Sequence, residues 1–289
     1  MTHIKTVAVI GSGTMGRGIT QSAALAGKQV VLFDLTYQLL DKANRSIRNS
    51  IDEGVQRGKT RPEVAERAKD GIVLTDNISQ AAQVELVIEA VPEDIELKRK
   101  VFGRLDAAAP AHTILASNTS SLSISAIAAA TERPDRVIGL HYFNPAHLMR
   151  LVEIIRGDST SDATVAQCRE FVTEIGKSAV LCQDSPAFIV NRIARPFYGE
   201  ALRLLGEQVA EPKTIDRLIS SLGFRMGPFE LLDLIGLDVN LAVTQSVYDA
   251  YFQDPKYRPH PIQRRMVDSN RLGRKSGRGF YTYKVADPS

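Results

Sequence analysis

The chain has 289 residues, 44% hydrophobic and 24% charged, a length for about two domains and an ordinary globular composition. Its formal charge of +3 is too small and too dispersed for a nucleic-acid partner, though it suits an anionic ligand such as a nucleotide. No apolar run approaches the ~18 residues that span a bilayer, so no membrane partner is expected.

Val7-Ala8-Val9-Ile10 reads as a fully buried strand. It starts so near the N-terminus that no signal peptide is expected ahead of it. Gly11, Gly13 and Gly16 follow in the spacing G-x-G-x-x-G, with Ser12, Thr14 and Met15 between them. A helix from Met15 to Leu25 ends before Gly27, and Val30 to Phe33 is a second buried strand with Asp34 at its end. In a dinucleotide fold Gly11 permits the tight turn, Gly13 the approach of a pyrophosphate, and Gly16 close packing of helix on strand. The helix N-terminus offers free N–H groups to phosphate. Asp34 stands where a carboxylate accepts from both ribose hydroxyls. No Arg or Lys occurs between it and Lys42 to receive a 2′-phosphate, so the cofactor read here is NAD rather than NADP.

Leu39 to Gly58 carries apolar residues on one face (Leu40, Ala43, Ile47, Ile51, Val55), and Pro62 opens a second helix to about Lys69. Together they form a helical hairpin inserted in the nucleotide-binding unit, its exposed face bearing Arg45, Ser46, Arg48, Ser50, Arg57 and Lys59. Strands are expected at 72–75, 86–91, 113–117, 137–143, 151–155 and 178–182, with helices at 93–109 and 162–175. The alternation means an α/β fold: a Rossmann-type, doubly wound, mostly parallel sheet whose ligands sit beyond the carboxyl ends of the strands. Asp34, the Pro92-Glu93 turn and the Asn118–Ser121 loop fall at that edge. After Asp184-Ser185-Pro186 the pattern is wholly helical to about Gln253, which divides the chain into domains 1–184 and 185–289, the second all-α. A glycine-rich basic loop from Gly273 leads into an aromatic tail that reads as a short strand or coil.

A dehydrogenase of alcohols needs a base near neutral pH, and histidine is the default. His141 ends a buried strand at the carboxyl edge. Glu153 lies in the middle of an apolar strand, where a carboxylate requires a partner, and the imidazole of His141 is a natural one. His3, His112 and His260 read as structural or solvated, and no cluster has metal-ligand spacing. Two cysteines, Cys168 and Cys182, form no C-x-x-C and suit a reducing cytoplasm.

Seven segments carry a resemblance over nearly the whole chain: GSGTMGRGI at 11–19, EAVPEDIELKRKVF at 89–102, ASNTSSLSI at 116–124, GLHYFNPAHLMRLVEII at 139–155, SPAFIVNRI at 185–193, GPFELLDLIGLD at 227–238 and GRKSGRGFY at 273–281. The chain resembles the 3-hydroxyacyl-CoA dehydrogenase family, in its short single-function form of the 3-hydroxybutyryl-CoA type. The resemblance implies oxidation of an L-(3S)-3-hydroxyacyl-CoA by NAD. His141 is then the general base and Glu153 its orienting partner. Ser120 bonds the reacting oxygen and touches both substrate and cofactor, and Asn191 helps hold the acyl group. Glu93 and Lys98 bind the nicotinamide half of NAD, Lys275 reaches the cofactor as the domains close, and Ser50 and Arg57 contact the CoA nucleotide. It also implies a homodimer through the helical domain. A sugar-acid dehydrogenase on the same scaffold, a 6-phosphogluconate-type enzyme with a lysine base, and a non-catalytic binding protein stay open as alternatives.

Overall fold

A computed structural model describes residues 3–283. Residues 1–2 and 284–289, the outermost ends of the two expected domains, lie outside the described residues. The chain divides into two compact units, 1–185 and 186–289.

The first unit begins β1 (Thr6–Ile10), α1 (Thr14–Leu25), β2 (Gln29–Phe33), α2 (Tyr37–Gln56), α3 (Pro62–Asp70) and β3 (Ile72–Thr75). It continues α4 (Ile78–Ala81), β4 (Leu86–Glu89), α5 (Ile95–Ala108), β5 (Ile114–Ser117), α6 (Ile124–Ala128) and β6 (Val137–Tyr142). β7 (Leu151–Arg156), α7 (Asp162–Glu174) and β8 (Ser178–Gln183) complete it. The eight strands form one sheet in the order β3-β2-β1-β4-β5-β6-β7-β8. β3 through β6 are parallel to one another, while β7 runs antiparallel to β6 and carries β8 with it. The strand order reverses between β1 and β4, the place where a doubly wound sheet opens a ligand crevice. β4, β5 and β6 are buried along their whole length, as continuous apolar runs in a sheet covered on both faces must be. Gly27, at φ +82°, stops α1 as expected.

The expected strand through Val91 ends at Glu89, and the helix expected from Glu93 starts at Ile95, because the Asp94 carboxylate caps it by accepting from Leu97 N–H at 2.8 Å. The hairpin α2–α3 exists, but Arg48 does not lie on its free face: its guanidinium donates to the Lys69 carbonyl at 3.1 Å and ties the two helices together. The short helices α4 and α6 have no counterpart among the expected elements; Asn77 and Ser123 cap them.

The second unit holds α8 (Val190–Gly206), α9 (Pro212–Ser221), α10 (Pro228–Ile235), α11 (Leu237–Ala250) and α12 (Pro261–Asp268). Its core joins Tyr198, Leu202, Ile215, Phe229 and Leu232. The aromatic tail is not a strand: it is pinned as a loop, with the buried Asp233 carboxylate accepting from Phe280 N–H and Tyr281 N–H at 2.9 Å each. Among the described residues no helix is long and apolar enough to cross a membrane.

Candidate active site

At Gly11 the chain turns at φ +102°, and a Cβ there would stand 2.9 Å from the Ala90 oxygen. At Gly16 a Cβ would meet the Gly11 oxygen at 1.8 Å, so only hydrogen lets α1 start this close to β1. Gly13 is different, for a Cβ there would meet nothing within 4 Å. Thr14 and Met15 open α1, whose first turn has no side-chain cap. The positive end of a helix thus starts beside uncrowded backbone, as a pyrophosphate requires. Asp34 Oδ2 accepts from Ser12 N–H at 2.8 Å and Ser12 Oγ–H at 2.5 Å, and Oδ1 from Leu35 N–H at 2.7 Å. That carboxylate anchors the glycine loop to β2, and these residues fit a bound dinucleotide.

On the other side of the reversal lies a cluster of charge. Lys98, buried on α5, places Nζ 2.7 Å from Glu89 Oε1, 3.3 Å from the Val91 oxygen and 3.4 Å from Glu93 Oε2. Glu89, fully buried at the end of β4, also accepts from Val91 N–H and Ser117 Oγ–H at 2.7 Å each. Glu93 Oε1 accepts from Thr119 Oγ–H at 2.7 Å, Ser120 N–H at 2.8 Å and Ser120 Oγ–H at 3.1 Å. Burial by itself would raise the Glu93 carboxyl, but Lys98 and these donors outweigh it and hold it below the usual 4.5.

His141 on β6 and Glu153 on β7 are register partners in the antiparallel pair, so their side chains share one face. Both are buried, and His141 Nδ1 lies 2.7 Å from Glu153 Oε2. The ring also packs on Phe143, centroids 4.4 Å apart. Asn118 Oδ1 accepts from Tyr142 N–H at 2.9 Å, which locks the loop carrying Ser120 to the strand carrying His141.

The remaining expected residues stand elsewhere. Ser50 is half-buried on α2, and the exposed Arg57 that ends α2 pairs with Glu53 at 3.1 Å. In the second unit Asn191 sits in the first turn of α8, and Lys275 Nζ pairs with Asp238 at 2.6 Å. The sequence shows no metal-ligand spacing, and the fold brings His3 to Glu170 and Glu174 at the surface. Lys28 Nζ donates to the other carboxylate oxygen of Glu174 at 2.5 Å.

Two residues of the site were missed by sequence reasoning. In the sequence Asn118 reads only as part of a loop, and Glu89 only as one residue of the strand at 86–91 and of the motif at 89–102. A carboxylate closing the apolar run Leu86-Val87-Ile88 was the available signal for Glu89.

Residues 6–185 match the NAD-binding domain of 3-hydroxyacyl-CoA dehydrogenase, and residues 188–283 match its C-terminal domain. The chain is 46% identical to 3-hydroxyadipyl-CoA dehydrogenase of Escherichia coli K12 over 99% of its own length and 60% of that protein's. It is 44% identical to 3-hydroxybutyryl-CoA dehydrogenase of Bradyrhizobium diazoefficiens, covering 99% of this chain and 97% of the relative. The crystal structure of (S)-3-hydroxybutyryl-CoA dehydrogenase from Ralstonia eutropha superposes with a TM-score of 0.93 at 40% identity, covering 98% of this chain and all of that one. With both domain matches in order and a dinucleotide cradle that fits NAD, the chain belongs to the 3-hydroxyacyl-CoA dehydrogenase family of NAD-dependent oxidoreductases.

Proposed function

We propose that this protein oxidises an L-(3S)-3-hydroxyacyl-CoA to the 3-oxoacyl-CoA, and runs the reverse reaction, with the 3-hydroxybutyryl to acetoacetyl pair within its range. The observation that carries this reading is the buried cross-strand pair of His141 and Glu153 at 2.7 Å, coupled through Asn118 to the Ser120 loop. When bound, NAD supplies the hydride acceptor. Glu153 takes the Nδ1–H bond, which selects the tautomer with its lone pair on Nε2 and stabilises the ring once protonated. Nε2 then removes the proton of the 3-hydroxyl as the C3 hydrogen leaves with its electron pair. In reduction the same ring returns the proton to the carbonyl oxygen. The Ser120 hydroxyl bonds that oxygen in both directions, and Asn191 helps hold the acyl group.

Asp34 and the backbone of Gly11, Ser12, Gly13, Thr14, Met15 and Gly16 hold the adenosine and pyrophosphate. Glu93 and Lys98 face the nicotinamide half, and Lys275 joins them on closure. Ser50 and Arg57 on the hairpin receive the CoA nucleotide. The protein works as a homodimer through its helical unit, in the cytoplasm, within fatty acid or acyl-CoA metabolism. Two free cysteines suit a reducing compartment: burial pushes the Cys168 thiol up to about 12, and the Cys182 thiol likewise, with Glu153 and Asp184 adding to it.

The test is NADH absorbance with the purified protein in the reductive direction, offered acetoacetyl-CoA and, separately, free acetoacetate. NADH consumed with the thioester alone is the expected result. Consumption with neither would overturn the reading.

A further inference from the structure

We propose that the cluster of Glu89, Lys98 and Glu93 makes this site favour the oxidised over the reduced form of its cofactor. The inference rests on the reading of the glycine loop and Asp34 as the seat of NAD, and adds to it a preference between redox states.

The electrostatics follow from the contacts. An ammonium has three N–H donors, and three oxygens surround Lys98 Nζ, those of Glu89 at 2.7 Å, Val91 at 3.3 Å and Glu93 at 3.4 Å. Glu89 lies closest and accepts two further hydrogen bonds, from Val91 N–H and Ser117 Oγ–H, the pattern of an ionised carboxylate. Glu89 therefore cancels Lys98, and Glu93 remains in excess. Two carboxylates and one ammonium leave a formal charge of −1, and Lys275 brings no net charge because it is paired with Asp238 at 2.6 Å. Lys98 and Glu89 are buried while the Glu93 side chain is 37% exposed, so water screens this charge only in part.

The placement follows from the topology. Asp34 ends β2 on one side of the reversal between β1 and β4, and the cluster sits past the ends of β4 and β5 on the other. A dinucleotide whose ribose meets Asp34 and whose pyrophosphate meets the Gly13 backbone extends across the reversal to this cluster. Its reactive ring is a cation when oxidised and neutral when reduced. A net negative cluster attracts only the cation, so it strengthens binding of NAD+ and leaves NADH nearly untouched. Glu89 directs its oxygens to Lys98, Val91 N–H and Ser117, so it acts as a positioning and charge-balancing residue.

The experiment is calorimetric titration of wild type, Glu89→Gln and the double variant Glu89→Gln/Lys98→Met with NAD+ and with NADH. Glu89→Gln brings the cluster to zero charge. It is expected to raise the ratio of Kd for NAD+ to Kd for NADH about tenfold, the scale of one unit charge acting through a protein interior. The double variant restores −1 and is expected to return the ratio to the wild-type value, although it disturbs more contacts. An unchanged ratio in Glu89→Gln overturns the inference. So does a double variant that stays with Glu89→Gln, since contact geometry would then account for the effect. If Glu89→Gln fails to fold, Glu93→Gln at its half-exposed position carries the same zero charge. It must show the same shift, and an unchanged ratio there also overturns the inference. Wild type that binds neither form overturns the NAD-site reading itself, a failure distinct from an unmoved ratio.

Discussion

His141→Ala is expected to leave NAD affinity near wild type and to cut kcat by ~10²–10⁴, the range of a lost general base. Single-turnover kinetics alongside cofactor titration checks this, and unchanged turnover would remove His141 from the mechanism. Glu93 carries a pH prediction. Its folded-state carboxyl lies below the ordinary 4.5, so the carboxylate contributes stability above that value and loses it as pH falls through the folded value. Thermal melts of wild type and Glu93→Gln should therefore differ at neutral pH and converge in acid. At this scale part of the site was legible. Glu153 drew notice because a carboxylate in an apolar strand needs a partner, and His141 stood at a strand end. Glu89 did not, because its partners Lys98 and Ser117 arrive by a helix turn and by the neighbouring strand, neither visible as a spacing.

The glycines of the β1–α1 turn separate folding from binding. Gly16→Ala drives a methyl group into the Gly11 oxygen and should cost on the order of 3 kcal/mol or more. Gly13→Ala meets open space at φ −65°, so it should leave Tm nearly unchanged while weakening NAD, whose pyrophosphate needs that space. Melting curves with and without NAD distinguish the two, and equal losses of Tm would contradict the division of roles. Strand and helix existence was legible here because buried parallel strands read as unbroken apolar runs and surface helices as one-faced patterns. The direction of β7 was not, since an apolar run reads the same in either direction. Helices of four or five residues such as α4 and α6 are too short to show a period.

For the whole molecule, the helical unit presents Leu218 (64% exposed) and Leu222 (70% exposed) on and just beyond α9. Exposed apolar residues grouped in this way mark an interaction surface, in keeping with the proposed dimer. Light scattering should report twice the chain mass for wild type and a shift toward monomer for Leu218→Glu/Leu222→Glu. A monomeric wild type would discard the dimer. Replacing Arg57 with alanine should raise KM for the CoA thioester severalfold and leave the NAD Kd unchanged, since the hairpin is assigned to the CoA nucleotide.

Local chemistry along the chain determines a good deal by itself. The G-x-G-x-x-G turn with a strand before it and Asp34 beyond it, the inserted hairpin, and the change to a purely helical period after Ser185 are all short-range patterns. Each is set by backbone conformation or by one element's own periodicity. What only the tertiary structure decided is which distant groups share a buried space. Strand register fixed the 2.7 Å contact of His141 and Glu153, a pair the sequence already suggested, while a β4–α5 turn delivered Lys98 to Glu89 and the β5 loop brought Ser120 to Glu93. Those pairings depend on sheet order and register, and such long-range contacts leave no spacing along the chain.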